Sequence, residues 1–126
     1  MTRDYQTIVD ILAIHAVLLK RYGGAGGVRD LGALEAAAFR PQSGYYTDVV
    51  QEACALLESL LINHPFVDGN KRTAFAACDV FLRVNDLRIA ADWKQLHELV
   101  LRWIALPSNE RFLTMEGDLR RLIVET

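Results

Sequence analysis

One stretch of this chain concentrates residues able to do chemistry: His64-Pro65-Phe66-Val67-Asp68-Gly69-Asn70-Lys71-Arg72-Thr73. It places an imidazole, a carboxylate, a glycine, a carboxamide and two cations on a tight loop that feeds a helix N-terminus. Each type answers a need of phosphoryl or nucleotidyl transfer. Unpaired amides at a helix start, reinforced by the macrodipole, make an anion site, and Gly69 lets a phosphate approach the backbone closely. Asn70 can donate to a phosphate oxygen, while Lys71 and Arg72 bring charge to the equatorial oxygens of a transferring group. Asp68 is a hard oxygen ligand of the kind Mg²⁺ prefers. His64 brings an imidazole, the side-chain type suited to act as a base near neutral pH and able to take the proton of an attacking hydroxyl. Asp, Asn and Gly also gather at helix starts for capping alone, and His64 falls in phase with an apolar stripe. A Lys-Arg pair in a first helical turn, however, has the wrong sign for the dipole unless an anion binds there, which favours a ligand site.

The elements that must carry this loop are helical. Ile8, Ile11, Leu12, His15, Leu18, Leu19 and Tyr22 follow one helix face, and Gly23-Gly24 supplies the stop. Asp30 is placed to cap a short Ala-rich helix from Leu31 to about Phe39, ahead of Pro41. Gln42 to Thr47 reads as a connection or a small hairpin, since Gly44-Tyr45-Tyr46 joins a turn residue to strand-favouring aromatics. Val49, Ala53, Leu56, Leu57, Leu60 and Leu61 form a further stripe that Pro65 terminates. A helix from Asn70 or Lys71 carries Ala74, Phe75, Cys78, Phe81 and Leu82 inward and closes near Asn85-Asp86, with Ile89-Ala90-Ala91 as linker. Asp92 and Gln95 resemble a capping box that opens a helix with Leu96, Leu99, Val100, Trp103 and Ile104, ended by Pro107. Thr114 is the expected cap of a last helix through Ile123. The pattern predicts an all-α fold of about six helices, and no repeat or linker divides residues 1–126.

Composition narrows the function. The chain has 126 residues, 52% hydrophobic, enough for one core and too many apolar groups for disorder. Lys and Arg number 14 against 16 Asp and Glu, a formal charge of -2, which argues against nucleic-acid or anionic-membrane partners. Cys54 and Cys78 fit neither a disulfide framework nor a zinc spacing, and with no signal-peptide pattern or membrane-length apolar run the expected location is the cytoplasm. The glycines at 23–27 lack the following Gly-Lys-Ser/Thr of a P-loop. His15, His97, Trp93 and Trp103 are accounted for by packing.

The run from His64 to Arg72 resembles the signature H-P-F-x-[DE]-G-N-[GK]-R of the Fic/Doc (Fido) family. Arg21-Tyr22-Gly23-Gly24, Gly27-Val28-Arg29-Asp30 and Leu34-Glu35-Ala36-Ala37 extend the likeness toward its death-on-curing (Doc) branch, so that it covers most of the chain. The resemblance implies a compact all-helical Fic/Doc domain over 1–126. It makes His64 the base toward a protein hydroxyl and Asp68 the holder of Mg²⁺, with Gly69, Asn70, Lys71 and Arg72 at the phosphates of ATP. It also places Tyr45 and Tyr46, near residues 42–47, on a flap that docks the target segment.

AMP-transferring members have Gly where this chain has Lys71, and a second Arg where it has Phe75. Both differences resemble the Doc branch, which binds ATP in the reversed sense and phosphorylates elongation factor Tu. Gly69, in contrast, follows the AMP-transferring pattern. The implied function is therefore a Doc-type toxin transferring the γ-phosphoryl group to Ser or Thr of a translation factor such as elongation factor Tu. Adenylylation and a non-catalytic nucleotide- or partner-binding domain are the alternatives. The inhibitory pattern [ST]-x-x-x-E-[GN] meets Glu116-Gly117 but has Phe112 at its hydroxyl position, so restraint is expected from an antitoxin in trans.

Overall fold

Local chemistry starts and stops most of the helices. In the computed structural model, which describes residues 3–126, Thr7 and Asp10 form a reciprocal capping box that opens α1, Ile8–Tyr22. Gly23 ends it at φ 83°, a left-handed conformation that costs glycine little. Asp30 caps α2, Leu31–Phe39, through the Ala33 amide. Asp48 caps α3, Val49–Asn63, through the Gln51 amide. α4 covers Asn70–Arg83. The expected Asp92–Gln95 capping box is present and opens α5, Trp93–Ile104.

α3 is buried almost all round, as its Ala- and Leu-rich composition requires. α2, α4 and α6 (Ser108–Leu122) pack on it, and α1 packs on α4. Leu56, Leu57, Leu60, Phe81, Leu82, Val100, Trp103, Met115 and Leu119 fill the space between them. Two carboxylates of α3 are carried into this interior with partners: Glu58 pairs with Arg40 at 2.9 Å and Arg111 at 3.1 Å, and Glu52 with Arg3 at 2.6 Å. Burial pushes the thiols of Cys54 and Cys78 well above the ordinary value, which keeps them protonated.

Three expectations change. Residues 42–47 contain no strand and so no hairpin flap: Arg40–Gln42 forms a 3-10 turn around Pro41, and Gly44 reverses the chain at φ 88°. The Arg40 guanidinium donates to the Tyr46 hydroxyl at 2.6 Å, and the Tyr46 ring stacks on Phe112, so its side chain is held inward rather than along a strand. The strands lie elsewhere, where Leu87–Ile89 (β1) pairs antiparallel with Ile123–Glu125 (β2), joining a linker to a segment read as helix. Finally, α6 begins at Ser108 rather than after Thr114: Pro107, with ψ 144°, is its N-cap, and the Pro107 carbonyl accepts from the Glu110 and Arg111 amides of the first turn.

Candidate active site

The loop between α3 and α4 begins with backbone strain. Pro65 disfavours the α region at His64, which instead adopts φ 45° and ψ 61° and caps α3 in the left-handed region. For a residue with a Cβ this costs roughly 1–2 kcal/mol. Arg29, from the segment just before α2, offsets it. Its guanidinium donates to the carbonyls of Asn63 at 2.6 Å and His64 at 2.7 Å, tying down the end of α3 with a cation that also suits the helix dipole.

Further main-chain bonds lace the glycine-rich loop to this segment. Val28 and Phe66 form an isolated antiparallel bridge, the Arg29 and Asp30 amides donate to Pro65 O, and the Val67 amide donates to Gly27 O. The segment from Gly23 to Asp30 is thus the strut of the chemical loop. Asn70 folds the loop onto itself: its Oδ1 accepts from the Phe66 amide and its Nδ2 donates to the Phe66 carbonyl, each at 3.0 Å. The Asn70 carboxamide thus holds the loop through one Nδ2–H, while its second Nδ2–H and the Asn70 main-chain amide stay free for an anion.

Gly69 stands at the N-cap of α4 with φ 77° and offers no side-chain cap. The amides of Asn70, Lys71 and Arg72 have no intrahelical acceptor, the arrangement expected of an anion site. Beside them, Asp68 is exposed, one carboxylate oxygen accepting from the Gly69 amide at 2.8 Å and the other from the Ala25 amide at 3.3 Å. Lone pairs remain on both oxygens. Among the described residues no group of three or more His, Cys, Asp and Glu gathers to form a metal cage. A single outward carboxylate suits Mg²⁺, which takes much of its shell from water and substrate phosphates. His15, read as a core residue, is buried, stacks on Phe66 with ring centres 3.8 Å apart, and donates from Nε2 to the Asp68 carbonyl at 2.8 Å.

His64, Asp68, Gly69, Asn70, Lys71 and Arg72 line one cleft of about 430 Å³. Tyr45 and Tyr46 do not line it: Tyr45 is 84% exposed, and Tyr46 is bound to Arg40. Glu116 is absent from its lining too, being paired with Arg120. Tyr22, Trp93 and His97 complete the walls, although sequence reasoning assigned Trp93 and His97 to packing. Their local patterns are those of ordinary amphipathic helices, so only the docking of α1 and α5 against α4 reveals them. Arg29 likewise carried no local signal, since its partners lie on another helix.

Residues 5–82 match the model of the Fic/DOC family. The chain is 48% identical over 95 residues to "Toxin Doc" of Mycolicibacterium smegmatis, an alignment spanning 71% of each chain. It is 33% identical over 84 residues to "Protein kinase doc" of Escherichia phage P1, spanning 64% of this chain and 67% of the relative. The signature loop, the all-helical frame that presents it and these two likenesses agree, and the chain belongs to the Fic/DOC family, in its Doc branch.

Proposed function

We propose that this protein is a Doc-type toxin that transfers the γ-phosphoryl group of Mg²⁺-ATP to a Ser or Thr hydroxyl of a protein target in the cytoplasm, a translation factor such as elongation factor Tu. One observation carries the choice of reaction. Phe75, standing where AMP-transferring relatives place a second Arg, is 4% exposed and packed into the core, whereas Lys71 and Arg72 line the cleft. The cleft thus carries Lys71, the Doc-like cation, and lacks the second Arg, and the names of the two relatives, a toxin and a protein kinase, favour the same reading.

The steps follow from the side chains. His64, on an exposed left-handed turn at the edge of the cleft, accepts the proton of the target hydroxyl as its oxygen attacks the γ-phosphorus. The bond from γ-phosphorus to the bridging oxygen breaks, and ADP leaves with the electron pair. Lys71, Arg72 and the first amides of α4 stabilise the charge on the phosphoryl oxygens during transfer. Asp68 would hold Mg²⁺, which neutralises phosphate charge when bound. Tyr45, the exposed member of its pair, is available to the target polypeptide, and an antitoxin supplied in trans restrains the activity.

Labelled nucleotide tests the reaction. Incubation with γ-labelled ATP and purified elongation factor Tu, or whole extract, marks a protein, while α-labelled ATP marks none. Label from the α position instead identifies AMP transfer. Neither label, with growth arrest intact in His64→Ala, makes the protein a binding module.

The strut gives a second test. A Cβ at Gly24 (φ 118°) would lie 2.9 Å from Asp68 Oδ2, whereas one at Gly23 (φ 83°) meets nothing within 4 Å. Both alanine variants bear positive-φ strain of about 1–2 kcal/mol. Only Gly24→Ala also displaces the carboxylate, so it alone requires more Mg²⁺ for half-maximal transfer; equal Mg²⁺ curves would contradict the role of Asp68.

A further inference from the structure

Arg72 has surroundings that phosphate binding alone does not require. Its guanidinium carbon lies 3.9 Å from the ring centre of Tyr22 and 4.5 Å from that of Trp93. Tyr22 is the last residue of α1 and Trp93 the first of α5, so three helices meet on one side chain. Among the described residues no ion pair engages Arg72. It stands in the wall shared by the cleft that His64 and Asp68 line and a second cleft of about 280 Å³.

The rings are themselves anchored. Trp93 meets Phe75 edge to face at 6.0 Å, and Phe75 leans on the fully buried Trp103 at 6.0 Å. The Asp92–Gln95 capping box sets the backbone at Trp93, and Gly23 fixes the end of α1 beside Tyr22. A column of aromatic groups therefore runs from the core to the guanidinium. An arginine stacked on ring faces keeps its N–H edge for hydrogen bonding, and its rotamer freedom is lost on folding rather than on ligand binding.

We propose that Tyr22 and Trp93 are positioning residues that clamp the Arg72 guanidinium at the cleft wall, presenting its N–H edge to a triphosphate and thereby setting affinity for the phosphate chain of the nucleotide. The inference rests on reading the cleft as the nucleotide site. Phosphate is the recognised chemistry, so the clamp serves inorganic triphosphate as well as ATP. Leucine at both positions keeps apolar bulk and removes the ring faces; phenylalanine keeps a six-membered aromatic face at each position without the Tyr22 hydroxyl or the pyrrole ring of the Trp93 indole.

The test titrates inorganic triphosphate, and separately ATP, into the full chain by calorimetry, with thermal melts of each variant. Tyr22→Leu/Trp93→Leu is expected to weaken triphosphate binding by about tenfold or more, and Tyr22→Phe/Trp93→Phe to recover most of the loss, because only the latter preserves the cation–π faces. Leucine variants that bind like the natural chain, or phenylalanine variants as weak as the leucine ones, overturn the clamp. If the double leucine variant does not fold, Trp93→Leu against Trp93→Phe makes the same comparison with the same outcomes. Triphosphate binding that depends on the rings, without any label transfer, sinks the phosphotransferase reading and upholds the clamp. Label transfer with binding indifferent to the rings does the reverse, and a natural chain that binds no triphosphate overturns both.

Discussion

His64→Ala lowers the initial rate of γ-label transfer by about 10²–10⁴-fold, the usual contribution of a positioned general base. The melting temperature stays nearly unchanged, because the side chain is exposed and the left-handed backbone costs alanine as much as histidine. His64→Gly separates conformation from chemistry. Glycine adopts φ 45° without the Cβ penalty, so this variant melts higher, by roughly 1 kcal/mol of stability, while remaining as inactive as the alanine variant. Transfer by His64→Ala at more than a tenth of the natural rate would remove the histidine from the role of base. Arg29 belongs to the same unit: by donating to the carbonyls of Asn63 and His64 it holds the turn on which the imidazole is carried.

The largest effect on stability is expected at Trp103. The indole is fully buried, its N–H donates to Asp118 at 2.7 Å, and its ring supports Phe75. Trp103→Ala removes that volume and costs about 3–5 kcal/mol. For a domain of this length that corresponds to roughly 10–20 °C in melting temperature. Trp103→Phe keeps much of the packing but leaves Asp118 with Arg121 as its remaining partner, a loss of about 1–2 kcal/mol. Chemical denaturation with both variants measures these differences, and an alanine variant within 1 kcal/mol of the natural chain would contradict the close packing described. Because Phe75 also touches Trp93, the alanine variant should loosen the wall of the cleft before it unfolds.

Features of the fold that depend on a few neighbouring residues were legible in the sequence. The end of α3 before Pro65, the Asp92–Gln95 capping box and the glycine stop after Tyr22 each act within about one helical turn. The misreadings were of another kind. Tyr45 and Tyr46 have strand-favouring side chains, yet Arg40 captures the Tyr46 hydroxyl and Phe112 of α6 captures its ring. Leu87–Ile89 and Ile123–Glu125 become strands only because the fold brings these two distant segments side by side. Thr114 has the chemistry of a cap but lies inside a helix that Pro107 had already started.

The site divides in the same way. His64, Asp68, Gly69, Asn70, Lys71 and Arg72 are nearly contiguous, so their spacing announced an anion-binding helix start, a carboxylate and a base, together with the resemblance to the Fic/Doc family. Tertiary structure decided what each can still do. It engaged the Asn70 carboxamide with Phe66, bound His15 to the Asp68 carbonyl, tied His64 to Arg29 and closed Tyr22 and Trp93 on Arg72. Backbone propensity and capping act over a single turn and can be read residue by residue. The meeting of side chains from α1, α4, α5 and the glycine-rich strut follows from how those elements pack in the fold, which no local pattern contains.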